Sequence, residues 1–399
     1  MHILMIAPEP FFEPRGTPFS EFHRIRALGT LGHTVDLATY PFGQNVSLPG
    51  LTVYRAFKPP FLSRVGIGPS WAKVPLNILL TLTVLRLALT RRYDAVHSHE
   101  EGGGIGVVVA WLLGVPHLYD MHSSLPQQVS NFGYRGMPGL ARILGWLERL
   151  MIRGSRAVIV ICQDLETTVR TIDTAVPVVL IENAPGGSTV VAPGAGAEVR
   201  RTLGLTPDTP LFLYTGTFEH YQGLDLLYAA FAELVRTHPG ARLVMAGGEP
   251  SQVAEAVQAV TRLGIADSVI FVGQRPQAEM PAYLDAATAL VSPRSTGTNT
   301  PLKIYQYLRS GRPIVATNLR THTQVLSAET AILADPTPSA FAAAMARVID
   351  DPAAAAAVGA KARSVAETEY SDEAYIAKTR AACRALFSAA PGPVEQRSA

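Results

Sequence analysis

The chain has 399 residues, enough for two domains at roughly 150 residues each, and 48% of them are hydrophobic. Charged residues make up only 17%, against about 25% in an average soluble protein, and the net charge is +2. This excludes a disordered chain and a nucleic-acid binder working through bulk charge. Cys162 and Cys383, far apart and without a CxxC neighbour, exclude a disulfide scaffold and a zinc knuckle and fit a reducing compartment.

Met1–Pro8 reads as a strand, without a basic n-region or a cleavage site, so no signal peptide is expected. His2–Ala7 is a continuous apolar run of the kind that forms a buried parallel strand. A Pro/Gly loop follows, then a helix from about Ser20 with Phe22, Ile25, Leu28 and Leu31 at helical spacing, ended by Gly32. HTVDLATY is the second strand, completing one βαβ unit. Leu76–Leu89 reads as an apolar helix too short to span a bilayer. Strands are expected at 95–97, 116–121, 157–162 and 178–181, with helices at 103–113 and 140–151.

Ala184–Ala197 is rich in Pro, Gly and Ser and lacks periodicity, as a linker does. A second alternating series follows, with strands at 211–215, 242–246, 269–272, 289–292 and 314–317. Its helices fall at 223–237, 251–263, 280–286, 301–309, 339–349 and 352–369. A last helix occupies about 371–386. The expected fold is α/β: two doubly wound Rossmann-like domains facing a central cleft, with the ligand at the C-terminal ends of the strands. The boundaries read as 1–190, a linker at 191–206, 207–370, a C-terminal helix at 371–388 that packs back on the first domain, and a disordered tail at 389–399.

Three enzyme classes fail on their motifs. Gly102-Gly103-Gly104-Ile105-Gly106 lacks the third glycine and the later acid of a dinucleotide fingerprint, and reads better as a helix starting close to the sheet. There is no G-x-x-x-x-G-K-[ST] and no G-x-S-x-G, which sets aside P-loop NTPases and α/β-hydrolases.

Several segments, in order, resemble a GT-B-fold glycosyltransferase of the family 4 type. They are HILMIAPEPFFEPRGTPFSEFHRIRALGTLGHTVDLAT, YDAVHSHEE, HLYDMHS, LFLYTGTFEHYQGLDLLYAAFAEL, RLVMAGGEP, VIFVGQRPQAEMPAYLDAATALVSPRS, GTNTPLKIYQYLRSGRPIVAT and IDDPAAAAAVGAKAR. The resemblance implies a retaining transferase with a nucleotide-sugar donor and a glycan or lipid-linked acceptor. It implies a role for Gly16, in a strand-to-helix turn beside Arg15 and Thr17, where backbone N–H groups meet a phosphate or hydroxyl. It implies that His122 contacts the donor sugar near the reacting carbon. Of His97 and His99, only one is expected to face the cleft; His97 reads as structural and His99 is left open. No metal cluster and no D-x-D motif emerge, so a metal-independent enzyme without a cofactor is expected.

The departures fall in the donor site. Thr217 and Gln222 stand where the family has an Arg and a Lys on the diphosphate, and Thr298 and Gln306 stand where it has an E-x7-E pair. Gln306 still accepts and donates without charge. Replacement donors are Lys303, Arg294 and His220, with the N–H groups of Gly216 and Thr217 and the helix starting near Asn299, Thr300, Pro301 and Leu302. Lys303, in the first turns of that helix, has the best case for a catalytic charge. Glu219 reads as a hydroxyl ligand or a solvated loop acid.

Residues 37–93 hold no acid but seven bases, among them Arg55, Lys58, Arg64, Lys73 and Arg86. Phe57, Phe61, Leu62, Val65, Ile67 and Trp71 are interleaved. This mixture suits an acceptor held at an anionic membrane surface, on the cytoplasmic inner face. The alternatives are a sugar-nucleotide epimerase, which needs an acid/base set not evident here, and a catalytically weak binding homologue.

Overall fold

The computed structural model describes residues 1–13, 16–60, 62, 73–126, 138–183, 191–297 and 299–387. It divides into two compact units, Met1–Pro185 with Asp372–Ala399, and Gly186–Ser371. In the first unit, β1 (His2–Ala7), β2 (Thr34–Thr39), β3 (Leu51–Arg55), β4 (Ala95–His99), β5 (His117–Met121), β6 (Ala157–Val160) and β7 (Val178–Leu180) form one sheet. The order is β3-β2-β1-β4-β5-β6-β7, and every pairing is parallel. In the second, β8 (Leu211–Thr215), β9 (Arg242–Ala246), β10 (Val269–Gly273), β11 (Ala289–Ser292), β12 (Ile314–Thr317) and β13 (Ile332–Ala334) pair in the order β10-β9-β8-β11-β12-β13, again all parallel.

Helices cover both faces of each sheet, so the central strands are buried, and most of them are continuous apolar runs. On one face of the first sheet, Leu76, Leu80, Val84 and Leu87 of helix Lys73–Thr90 pack with Leu4, Ile6 and Val96. On the other face lie helices Gly16–Thr30 and Asp372–Phe387, around Met5, Leu28 and Leu118. The last helix thus packs on the first unit, as expected. The second core gathers Phe212, Phe231, Leu243, Met245 and Phe341. The strand order reverses between β1 and β4 and again between β8 and β11. Such switch points open a crevice at the carboxyl ends of the strands.

Some expectations change. The apolar helix extends over Lys73–Thr90, and among the described residues it alone is long and apolar enough to cross a membrane. Its inner stripe sits in the sheet core. Ala195–Thr202, inside the segment read as linker, is a helix packed on Met280–Ala286; a Cβ on Gly196 would stand 2.5 Å from an Asp285 oxygen. The strands Leu51–Arg55 and Ile332–Ala334 and the helix Gln163–Ile172 were not evident in the sequence. Residues 184–190 and the tail at 389–399 lie outside the described residues.

Candidate active site

The first switch point carries an ionisable cluster. Residues i and i+2 of a strand share a face, so His97 and His99 point the same way; their rings stack at 4.7 Å. This corrects the expectation that one of them faces away. Asp120 of β5 joins them on that face. One Asp120 oxygen lies 3.4 Å from His97 Nε2 and accepts from Arg24 Nε at 3.1 Å; the other lies 3.2 Å from His122 Nε2. His122 Nε2 is 3.4 Å from His99 Nδ1. Arg24 also donates to Thr379 Oγ1 at 3.0 Å and covers the Tyr375 ring at 5.0 Å, both on the last helix.

Burial alone would raise the Asp120 carboxyl, but Arg24 and the neighbouring histidines hold it well below the usual range. Burial pushes His97 and His99 down, so both are neutral near pH 7. His97, His99 and Asp120 keep their ligand atoms within 4.8 Å of one another, a spacing that suits a cation and that the sequence reading did not find. The Arg24 guanidinium already supplies the positive charge on Asp120.

Carboxyls surround this core. Glu100, just past β4, has φ 47°, a left-handed backbone, and accepts from Ser123 Oγ at 2.9 Å. Strained conformations of this kind cluster at functional sites. Burial pushes Glu100 up to about 8 and Glu9 up to about 7. Glu21, fully buried, is held well above the usual carboxyl range by burial and by Glu9. The sequence offered no carboxylate pair; Glu9 and Glu21 are one. Gly16 begins its helix at φ 53° with nothing within 4 Å of a Cβ position. Neighbouring Arg15 lies outside the described residues.

Around the second switch point stand the loop after β8 and the helix Leu302–Ser310. Gly216 takes φ 136°, and Gly247 packs so closely that a Cβ there would meet the Gly216 carbonyl at 1.9 Å. Lys303 is buried, with Nζ 3.8 Å above the Tyr214 ring and without a hydrogen-bond partner. A Cβ on Gly216 would stand 3.3 Å from that nitrogen. Burial, then Arg294, push the Lys303 pKa well down. Tyr214 donates to the Thr217 carbonyl at 2.7 Å. Gln222 is buried, with Nε2 3.4 Å from Thr217 Oγ1 and its carbonyl oxygen unpartnered. Arg294 lies 5.1 Å from the Tyr221 ring and donates to the Thr296 carbonyl at 2.9 Å. The Thr300 hydroxyl is buried and unpartnered, and the Asn299 carbonyl accepts from Thr321 at 2.8 Å. Pro301 precedes the helix, Leu302 and Gln306 are half-buried on it, and His220 is exposed. Glu219 is exposed and accepts from Gln252 at 3.1 Å. Thr298 lies outside the described residues. The structure therefore gathers Gly216, Thr217, Gln222, Arg294 and Lys303.

The basic stretch is divided. Arg55 donates to the carbonyls of Tyr40, Phe42 and Gln44, so it clamps the loop after β2 rather than facing a partner. Lys73 is ion-paired with Glu101 at 2.7 Å. Lys58 is exposed, 5.5 Å over the Phe42 ring, and Arg86 is exposed. Arg64, Phe61, Val65, Ile67 and Trp71 lie outside the described residues. Sequence reasoning missed Arg24, Asp120, Glu100 and the Glu9–Glu21 pair. The period-2 spacing of Asp120 and His122 was the available signal for one of them.

Two doubly wound parallel-sheet domains, each with polar groups at its switch point, define a GT-B-type protein. Residues 23–184 match the glycosyl transferase 4-like domain and residues 209–351 match glycosyl transferases group 1. The chain belongs to this family of glycosyltransferases. A D-inositol 3-phosphate glycosyltransferase of Frankia alni is 30% identical over 73% of this chain and 74% of its own length. One from Acidothermus cellulolyticus is 30% identical over 68% of this chain, a match spanning 63% of the relative. In fold, the chain is similar to sucrose-phosphate synthase of Thermosynechococcus elongatus (TM-score 0.78, 22% identity, 97% and 99% of the two chains). It is also similar to HepE of Anabaena in complex with UDP (TM-score 0.72, 18% identity, 97% and 99%).

Proposed function

We propose that the chain moves a sugar from a nucleotide-sugar donor to a hydroxyl of a glycan or lipid-linked acceptor, retaining the anomeric configuration. It works at the cytoplasmic face of a membrane and without a metal. The observation that carries the donor reading is Lys303. A buried lysine Nζ without a hydrogen-bond partner is costly, and here it stands beside a glycine loop at the carboxyl ends of β8 and β11. A donor diphosphate supplies the missing acceptor, assisted by Arg294, the Gly216 and Thr217 amides and the Thr300 hydroxyl, with Gln306 towards the ribose. UDP bound to HepE, a protein of the same fold, supports a nucleotide here.

The first unit takes the acceptor, and His122 at its switch point acts on a sugar. Asp120 fixes the ring orientation, and Arg24 fixes Asp120. In a front-face displacement the leaving phosphate accepts the acceptor proton, so positioning and charge stabilisation suffice. Transfer that survives a chelator supports metal independence; loss restored by one added divalent ion refutes it.

Titration calorimetry against UDP, GDP and their sugars tests the donor reading. Lys303→Ala is expected to weaken nucleotide binding by tenfold or more, since a charged hydrogen bond contributes about 1.5–3 kcal/mol. No binding of any nucleotide to the native chain overturns it. The neutral residues Thr217 and Gln222 favour a second reading, a binding homologue of low activity. Nucleotide binding without turnover on any glycan or lipid acceptor supports that instead.

A further inference from the structure

Resting on the membrane-side acceptor proposed above, we propose that the chain seats an apolar face in an anionic bilayer. That face is the outer surface of three neighbouring helices, Lys73–Thr90, Gly102–Leu113 and Pro138–Arg153. The three lie side by side over the same face of the first sheet. Their inner stripes are buried in the core, yet their outer stripes are apolar as well. Ile78 and Leu82 stand one turn apart on the first helix, with Leu89 beyond them, 86% exposed. Trp111 ends the second helix at 78% exposed, and Ile143 and Trp146 form a ridge on the third. A surface helix ordinarily turns a polar face outward, and exposed apolar patches of this extent mark interaction sites.

Charge selects the occupant. The three helices carry no exposed acid: their single carboxylate, Glu148, is buried and accepts from the Leu125 amide at 2.8 Å. Arg86, Arg142, Arg149 and Arg153 are exposed on them. A second copy laid on this face by two-fold symmetry would bring these arginines together. Anionic headgroups complement them, while tryptophans favour the boundary between acyl chains and water. The face shares Arg86 and the helix Lys73–Thr90 with the basic stretch read from the sequence and adds two further helices, Gly102–Leu113 and Pro138–Arg153.

The full chain carrying Trp71→Phe leaves Trp111 and Trp146 as fluorescent reporters. On vesicles of phosphatidylcholine and phosphatidylglycerol (7:3), their emission is expected to shift to the blue and to be quenched by brominated acyl chains. Trp111→Ser with Trp146→Ser is expected to reduce vesicle binding tenfold or more, with the calorimetric melting transition of the first unit unchanged as proof of an intact fold. No quenching, or vesicle binding unchanged in the double variant, overturns the proposal. A dimer that the double variant dissolves, without vesicle binding, overturns it in favour of a second copy. Failure of nucleotide binding in calorimetry overturns the donor reading separately, whatever the vesicles show.

Discussion

Arg24 and Asp120 bury opposite charges 3.1 Å apart, 2% and 0% exposed. Removing one partner of such a pair strands the other. Asp120→Asn is therefore expected to cost about 3–5 kcal/mol in urea unfolding, and adding Arg24→Met should recover part of that loss. The same burial sets a pH dependence. Glu100 keeps its proton to about pH 8 when folded, against 4.5 in the free group. Its stabilising contribution is complete below 4.5 and is lost as pH rises through 8. His97 and His99 are depressed, so their contribution is present above 6.5 and is lost as pH falls below it. Stability is thus expected to peak between these limits. Between pH 7 and 9 the melting temperature should fall by several degrees, and Glu100→Gln should flatten that decline; an unchanged slope in the variant refutes the assignment.

At the scale of elements, the Gly102–Leu113 helix shows why a glycine run can look like a cofactor motif. A Cβ on Gly106 would meet His117 Nε2 at 2.4 Å and Ser98 at 2.8 Å, and one on Gly103 would meet Met151 and Tyr119. These glycines let the helix lie against the sheet, as the sequence suggested. Gly104 has open space at its Cβ position. Gly106→Ala is expected to destabilise by about 1–3 kcal/mol through overpacking. Gly104→Ala should be neutral or stabilising by up to about 1 kcal/mol, from helix propensity. Denaturant midpoints of the two variants check the contrast. The strands of the second unit were legible because buried parallel strands are unbroken apolar runs. Ile332–Ala334, three residues long, is too short to show any period.

At the scale of the molecule, the two units have separate cores and separate switch points. Calorimetric scanning is expected to resolve two transitions. Saturating UDP or GDP should raise the one belonging to Gly186–Ser371, by about 2.7 kcal/mol at a hundred times Kd. An equal shift of both transitions would assign the nucleotide contacts differently.

The sequence by itself determined the fold class, the alternation of most strands and helices and the family resemblance, because backbone periodicity and glycine spacing are local properties. It also singled out Lys303 and His122 by their places at a helix start and a strand end. Only the tertiary structure decided which charges meet. Arg24 reaches Asp120 across 96 residues of sequence and Thr379 across 355. Only the tertiary structure turned Arg55 inward onto carbonyls and left Trp111 and Trp146 outside. Composition counts charges and apolar groups; their energies depend on burial and distance, which the packed chain sets.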